Sequence, residues 1–342
     1  MNKRLRTILQ YSFFLGLGIF LVWWSIRDLT AEDKSDIKAS LKDARYWLLG
    51  PVFLILFASH WVRAMRWRLL MQSLGYDPSI LNAFFAVLIG YITNHAVPRL
   101  GEVVKCTMLA RYENIPVDKL IGTIILERLI DAITLLIVFG ITLIIQPDIY
   151  SQLTDVIFNT KPDQTHKTIS STLVLLIAIG LIILLLAIWM IRKKKNFSDL
   201  GQLLKNIGRR IWEGISAIQH LKKRKQFIFL TILLWTLYLS GGYLGFMAFK
   251  ETQHYGIREA FSILSAGSIG MVVTPGGIGA YSYLVEKTMI IYGLKPGIAF
   301  AFGLILWVAQ TAVILIGGLV SFVAMPLFNK RKLSKSSEND SM

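Results

Sequence analysis

The chain has 342 residues, 54% of them hydrophobic, with a net charge of +16 and a mean hydropathy of +0.55. Apolar runs recur at 11–26, 170–191, 226–249 and 297–325. About 20 apolar residues span a hydrocarbon core of about 30 Å, so this composition excludes an ordinary soluble enzyme. The charge fits Lys and Arg retained on the cytoplasmic side of a membrane, and no aromatic-basic module points to nucleic acid.

The first apolar run, 11–26, follows a basic start and imitates a signal peptide. Val22-Trp23-Trp24-Ser25-Ile26-Arg27 offers no small-residue cleavage site, so it reads as an uncleaved first helix. A loop at 27–45 carries five basic and five acidic residues. The next helix is expected over 46–62. It ends in Trp61-Val62-Arg63-Ala64-Met65-Arg66-Trp67-Arg68, where Trp61, Arg66 and Trp67 read as interface anchors.

A moderately apolar pair follows, 81–97 and 100–111, broken at Pro98. A helix at 119–145, a mixed loop to 169 and a helix at 170–191 come next. Residues 192–225 hold eleven Lys and Arg. After a helix at 226–249, a second pair, 257–273 and 279–292, flanks Thr274-Pro275-Gly276-Gly277. The last helix, 297–325, leads into a polar tail with Lys330-Arg331-Lys332. The lone Cys106 excludes an intramolecular disulfide and reads as a small packed side chain.

Counting Lys and Arg places both termini, the Arg63–Arg68 stretch and 192–225 on the cytoplasmic side. This works only if each broken pair enters and leaves on one side. The short 100–111 segment, with Glu102, Lys105 and Arg111, favours re-entrant hairpins. The pairs also resemble each other. Ala83-Phe84 aligns with Ala260-Phe261, Gly90 with Gly267, Ile92 with Ile269 and Pro98 with Pro275; past a short insertion, Tyr112 aligns with Tyr292 and Pro116 with Pro296.

The expected architecture is an all-α polytopic membrane protein of about six transmembrane helices and two re-entrant helical hairpins in an inverted repeat. It is one integral membrane domain over 1–342. The first repeat is 46–145, the linking helix 170–191, the inverted second repeat 226–325 and the polar cytoplasmic tail 326–342.

Charges inside apolar helices are expensive, about 2.5–3.5 kcal/mol each near a helix centre, and mark function. The 119–145 helix carries Glu127, Arg128 and Asp131. Arg128 and Asp131 are spaced to pair on one face. A salt bridge accounts for two charges and leaves the third, so the trio reads as a polar cavity wall.

The first break, with Asn94, Pro98, Arg99, Gly101, Glu102 and Lys105, restarts a helix whose N–H groups and Arg99 suit a lipid phosphate. In the second, Pro275, Gly276, Gly277 and Gly279 offer backbone for close approach. Glu286 either faces a cavity or reaches the surface. The broken tips are expected to meet. His60, His95 and His220 have no metal spacing. Nothing forms a nucleophile–base arrangement, a phosphate loop or a cofactor fingerprint, so neither metal, cofactor nor enzymatic activity is expected.

Four motifs in order carry a resemblance: Arg66-Trp67, the segment from Asn94 to Lys105, Glu127-Arg128-x-x-Asp131, and Pro275-Gly276-Gly277-x-Gly279. Together they resemble the lysylphosphatidylglycerol synthase transmembrane region family, also called flippase-like domain proteins, over roughly 46–325. In the best-known relatives a soluble aminoacyltransferase domain follows, and the membrane part is associated with moving the product lipid. No such domain is expected within these 342 residues.

The resemblance therefore implies translocation of a phospholipid or polyprenyl-phosphate-linked lipid across the cytoplasmic membrane. The alternative is a non-catalytic subunit presenting lipid to a separate glycosyl- or aminoacyl-transferase partner. One departure is Ser282, which stands where the family often has Glu.

Overall fold

In a computed structural model, residues 16–27, 29–97, 100–149, 152–153 and 221–339 are described, with backbone only for 331–339. Among them there is no strand. The helices are α1 (Gly16–Arg27), α2 (Ala31–Asp43), α3 (Leu49–Ser73), α4 (Ile80–Ala96), α5 (Leu100–Glu113), α6 (Val117–Ile145), α7 (Arg224–Met247), α8 (Ile257–Val273), α9 (Ala280–Ile291) and α10 (Pro296–Asn339). Among the described residues, four spans are long and apolar enough to cross a membrane: Tyr46–Ser73, Val117–Ile145, Arg224–Met247 and Pro296–Lys330. The chain is an all-α polytopic membrane protein. The expected helix at 170–191, Pro98 and Arg99 lie outside the described residues.

Three boundaries differ from the sequence reading. The 27–45 loop contains α2, because Thr30 caps it reciprocally: its hydroxyl accepts the Asp33 N–H at 3.1 Å, and Asp33 accepts the Thr30 N–H at 2.9 Å. Lys295 anchors α2 through Asp36 at 2.9 Å and Glu32 at 3.4 Å. The second difference is α3, which continues to Ser73 and carries Arg63 and Arg66 inside the helix. Carboxylates on α6 pair with these arginines inside the protein. Finally, α10 continues through Pro326 to Asn339.

The two halves share one plan, α3–α4/α5–α6 and α7–α8/α9–α10. Several contacts match when the halves are exchanged. α4 packs on α5 as α8 does on α9, and α4 on α10 as α8 does on α6; α3 and α7 pack on each other. α3 also packs on α6, and that contact builds the charged cluster described below.

The hairpins cross at equivalent points. A side chain on Gly90 would lie 3.0 Å from the Gly101 carbonyl oxygen, and one on Gly101 would overlap the Gly90 carbonyl oxygen at 1.9 Å. In the second hairpin Gly267 meets the Tyr281 ring, 2.5 Å from where a β-carbon would stand. Past the insertion, Tyr281 is the repeat equivalent of Gly101.

Candidate functional site

At the centre of the first half lies a buried ionic cluster. Its residues come from three helices: Arg63 and Arg66 from α3, Glu102 and Lys105 from α5, and Glu127, Arg128 and Asp131 from α6. Glu127 and Arg66 are fully buried, and Arg63 and Lys105 nearly so. Arg63 Nη1 lies 3.1 Å from Glu127 and 2.7 Å from Asp131, and Nη2 donates to the Tyr238 hydroxyl at 2.9 Å. Arg66 reaches Asp131 at 2.5 Å and Glu127 at 3.4 Å. Lys105 holds the other Glu127 oxygen at 3.1 Å, with its ammonium 4.4 Å from the centre of the Trp67 ring. Arg128 pairs with Glu102.

Two expectations are corrected by this geometry. The partner of Arg128 is Glu102, because Arg63 and Arg66 occupy both oxygens of Asp131. Arg66 and Trp67 are core rather than interface residues: both are fully buried, and Trp67 donates to the Thr123 hydroxyl at 2.8 Å. The missed partners, Arg63 and Arg66, carried one usable signal. A row of arginines in an apolar helix and a row of acids in another form a complementary set.

A cavity of about 450 Å³ opens beside the cluster. Its polar lining includes His60, Arg63, Asn94, Glu102, Arg128 and Gln310. Its apolar lining includes Val52, Leu56, Ile263, Leu264, Leu306 and Ile314. Glu127, Asp131 and Lys105 are not part of this lining, so of the α6 trio only Arg128 reaches the wall. The cluster has four cations and three carboxylates, leaving one positive charge in excess.

The broken tips do meet. Gly276, at φ +63°, has the His95 ring where a β-carbon would stand, at 2.6 Å, and its carbonyl accepts from Trp307 Nε1 at 2.9 Å. Left-handed backbone at Gly276, Gly277 and Gly279 explains the glycines in the Pro275 turn. Gly279 packs against Gly18 of α1 and not against the opposite hairpin.

Asn94 Oδ1 accepts the Gly101 N–H at 2.8 Å, so α4 itself caps the restarted helix at that position. Glu286 is buried away from this cavity and pairs with Lys287 at 2.8 Å. Among the described residues no group of His, Cys, Asp and Glu has the arrangement of a metal site.

The profile of the family described as "Lysylphosphatidylglycerol synthase TM region" matches residues 10–318. The chain belongs to this family. A UPF0104 membrane protein of Methanocaldococcus jannaschii is 30% identical over 73 residues, which cover 20% of this chain and 22% of that protein. The chain thus matches about a fifth of that relative's length. No solved structure matches. Within the family chain, Arg66-Trp67, then Asn94, Glu102 and Lys105, then Glu127–Asp131 all serve one construction, the ionic cluster and the cavity wall in front of it.

Proposed function

We propose that the chain is a lipid transporter of flippase or scramblase type, carrying a phosphate-bearing lipid between leaflets of the cytoplasmic membrane. The observation that supports this most is the cavity. Its lining divides chemically between the charges of Arg63, Arg128 and Glu102 and aliphatic side chains such as Leu56, Ile263 and Leu306. An amphiphile's head and first chain carbons fit such a division, and the excess cationic charge suits a phosphate. Family membership supports the lipid assignment at the level of the membrane domain.

In this reading the matching halves are an inverted repeat with both termini cytoplasmic. The run of basic residues at 192–225 and Lys330-Arg331-Lys332 support the orientation. Arg63 and Arg66 no longer count toward it, because carboxylates hold them inside. The hairpins are re-entrant, and the tips joined at His95 and Gly276 separate when the cavity changes the leaflet it faces.

The test is transbilayer movement of fluorescent phosphatidylglycerol in proteoliposomes, comparing wild type, Arg128→Gln and empty vesicles. Movement by wild type, with a tenfold or greater loss in the variant, supports the reading. Wild-type rates equal to empty vesicles for both phospholipid and polyprenyl-phosphate probes would overturn it.

A further inference from the structure

The cavity holds polar groups that the ionic cluster does not use. His60, on α3 one turn before Arg63, is 6% exposed, and neither ring nitrogen has a hydrogen-bond partner. The Tyr91 ring packs beside it, centroid to centroid at 5.1 Å, which fixes the imidazole plane without serving either nitrogen. On α10, Gln310 Oε1 is buried and accepts no hydrogen bond. Both residues line the cavity that Arg63 and Arg128 line.

Buried polar side chains are nearly always paired, and those that are not call for an explanation. Packing alone does not supply one. An aliphatic or phenyl side chain in place of His60 would fill the same space without two unmet groups. Arg63 and Arg128 already have carboxylate and tyrosine partners, with Arg63 Nε and Glu102 Oε2 still unmet beside them. His60 and Gln310 add capacity of another kind: two ring nitrogens, which in a neutral imidazole are one donor and one acceptor, and the amide oxygen of Gln310.

We propose that His60 and Gln310 form a head-group-reading subsite specific for hydroxyl groups on the alcohol esterified to the phosphate. The assignment rests on the lipid reading above and deepens it. A hydroxyl donates and accepts at once, which is the complement of a neutral imidazole and of an amide. The substrate class is then a phosphodiester lipid of a polyol or sugar. A head group ending in methyl groups would leave His60 unpaired and bind less well.

Phosphatidylglycerol and phosphatidylethanol carry the same charge, and only the first has head-group hydroxyls. An equimolar mixture with identical acyl chains is offered to the purified full chain, and native mass spectrometry reads the retained ratio. Each hydrogen bond changes affinity about two- to tenfold. Wild type is expected to favour phosphatidylglycerol about fivefold or more. His60→Phe should bring the ratio near one by losing phosphatidylglycerol and not by gaining the ethyl ester. His60→Gln, which restores a donor and an acceptor, should keep most of the preference. Gln310→Met, on a different helix, should lower it independently.

An unchanged ratio in both His60→Phe and Gln310→Met, or no preference in wild type, overturns the subsite. Wild type that moves lipid in vesicles without this preference overturns the subsite alone. Preference in binding without movement overturns the transport reading and leaves the subsite standing.

Discussion

Arg63 and Glu127 are 64 positions apart in sequence and 3.1 Å apart in space, and Arg63 is at the same time bonded to Asp131 and Tyr238. One guanidinium thus ties α3 to α6 and α7 and contributes its edge to the cavity. The cluster is a keystone for the first half as much as a binding feature.

Glu127 meets three cations and has no exposed surface. Glu127→Gln removes the counter-charge and leaves those cations less compensated. Breaking a buried ion pair in this way costs about 3–5 kcal/mol. The expected outcome is a clear fall in detergent melting temperature and yield. Retention of wild-type stability would show that the cluster is not the keystone described.

Glu102 and Arg128 are partly exposed at the cavity wall. Neutralising both together, Glu102→Gln with Arg128→Gln, should shift stability by about 1 kcal/mol or less, as for a screened pair. Lipid movement should fall tenfold or more. Stability and transport, measured on the same preparations, separate this pair from Glu127.

Arg63→Lys preserves charge and loses the planar fork that serves two carboxylates and a hydroxyl together. It should behave as a loss-of-function variant with impaired stability. Tyr238→Phe, which removes one of the three contacts, should be milder. A thermal melt of each variant checks the order.

Gly101→Ala forces a methyl group into the Gly90 carbonyl, whereas Gly50 has open space where a side chain would go. The first substitution should cost several kcal/mol, beyond about 1–3 for ordinary overpacking. Gly50→Ala should be near neutral. Parallel melts decide the matter, and equal effects would contradict the hairpin crossing.

The α2 cap predicts a pH effect. The Thr30 backbone N–H and hydroxyl hold the Asp33 carboxyl below the usual carboxylate range. The cap is therefore fully formed above the unfolded value of about 3.9 and is lost as pH falls through the lower folded value. Amide exchange in α2 should quicken only in that acid window, and Asp33→Asn should remove the dependence.

Much of the architecture was legible in the sequence. The apolar runs gave α3, α6, α7 and α10. Pro98 and the Pro275-Gly276-Gly277 turn marked the breaks, because a break needs residues that stop a helix or bend backward. The partnerships were less legible. Arg63 and Arg66 look like surface markers in sequence because local sequence shows a charge beside tryptophans, and only the α3–α6 contact shows what neutralises it. The same gap hid the pairing of Arg128 with Glu102 on another helix. His60 carried no spacing that suggested a role, since its meaning depends on the unused space around it.

The distance along the chain between α3 and α6 also bears on how the protein is made. A ribosome delivers Arg63 and Arg66 to the membrane long before it delivers the carboxylates that neutralise them, 61 and 64 residues later for Glu127. Two unpaired guanidiniums are costly in hydrocarbon. The charge of the cluster is balanced only once α3 through α6 have all been made, so the first half has to be complete before α3 can hold Arg63 and Arg66 cheaply inside the protein.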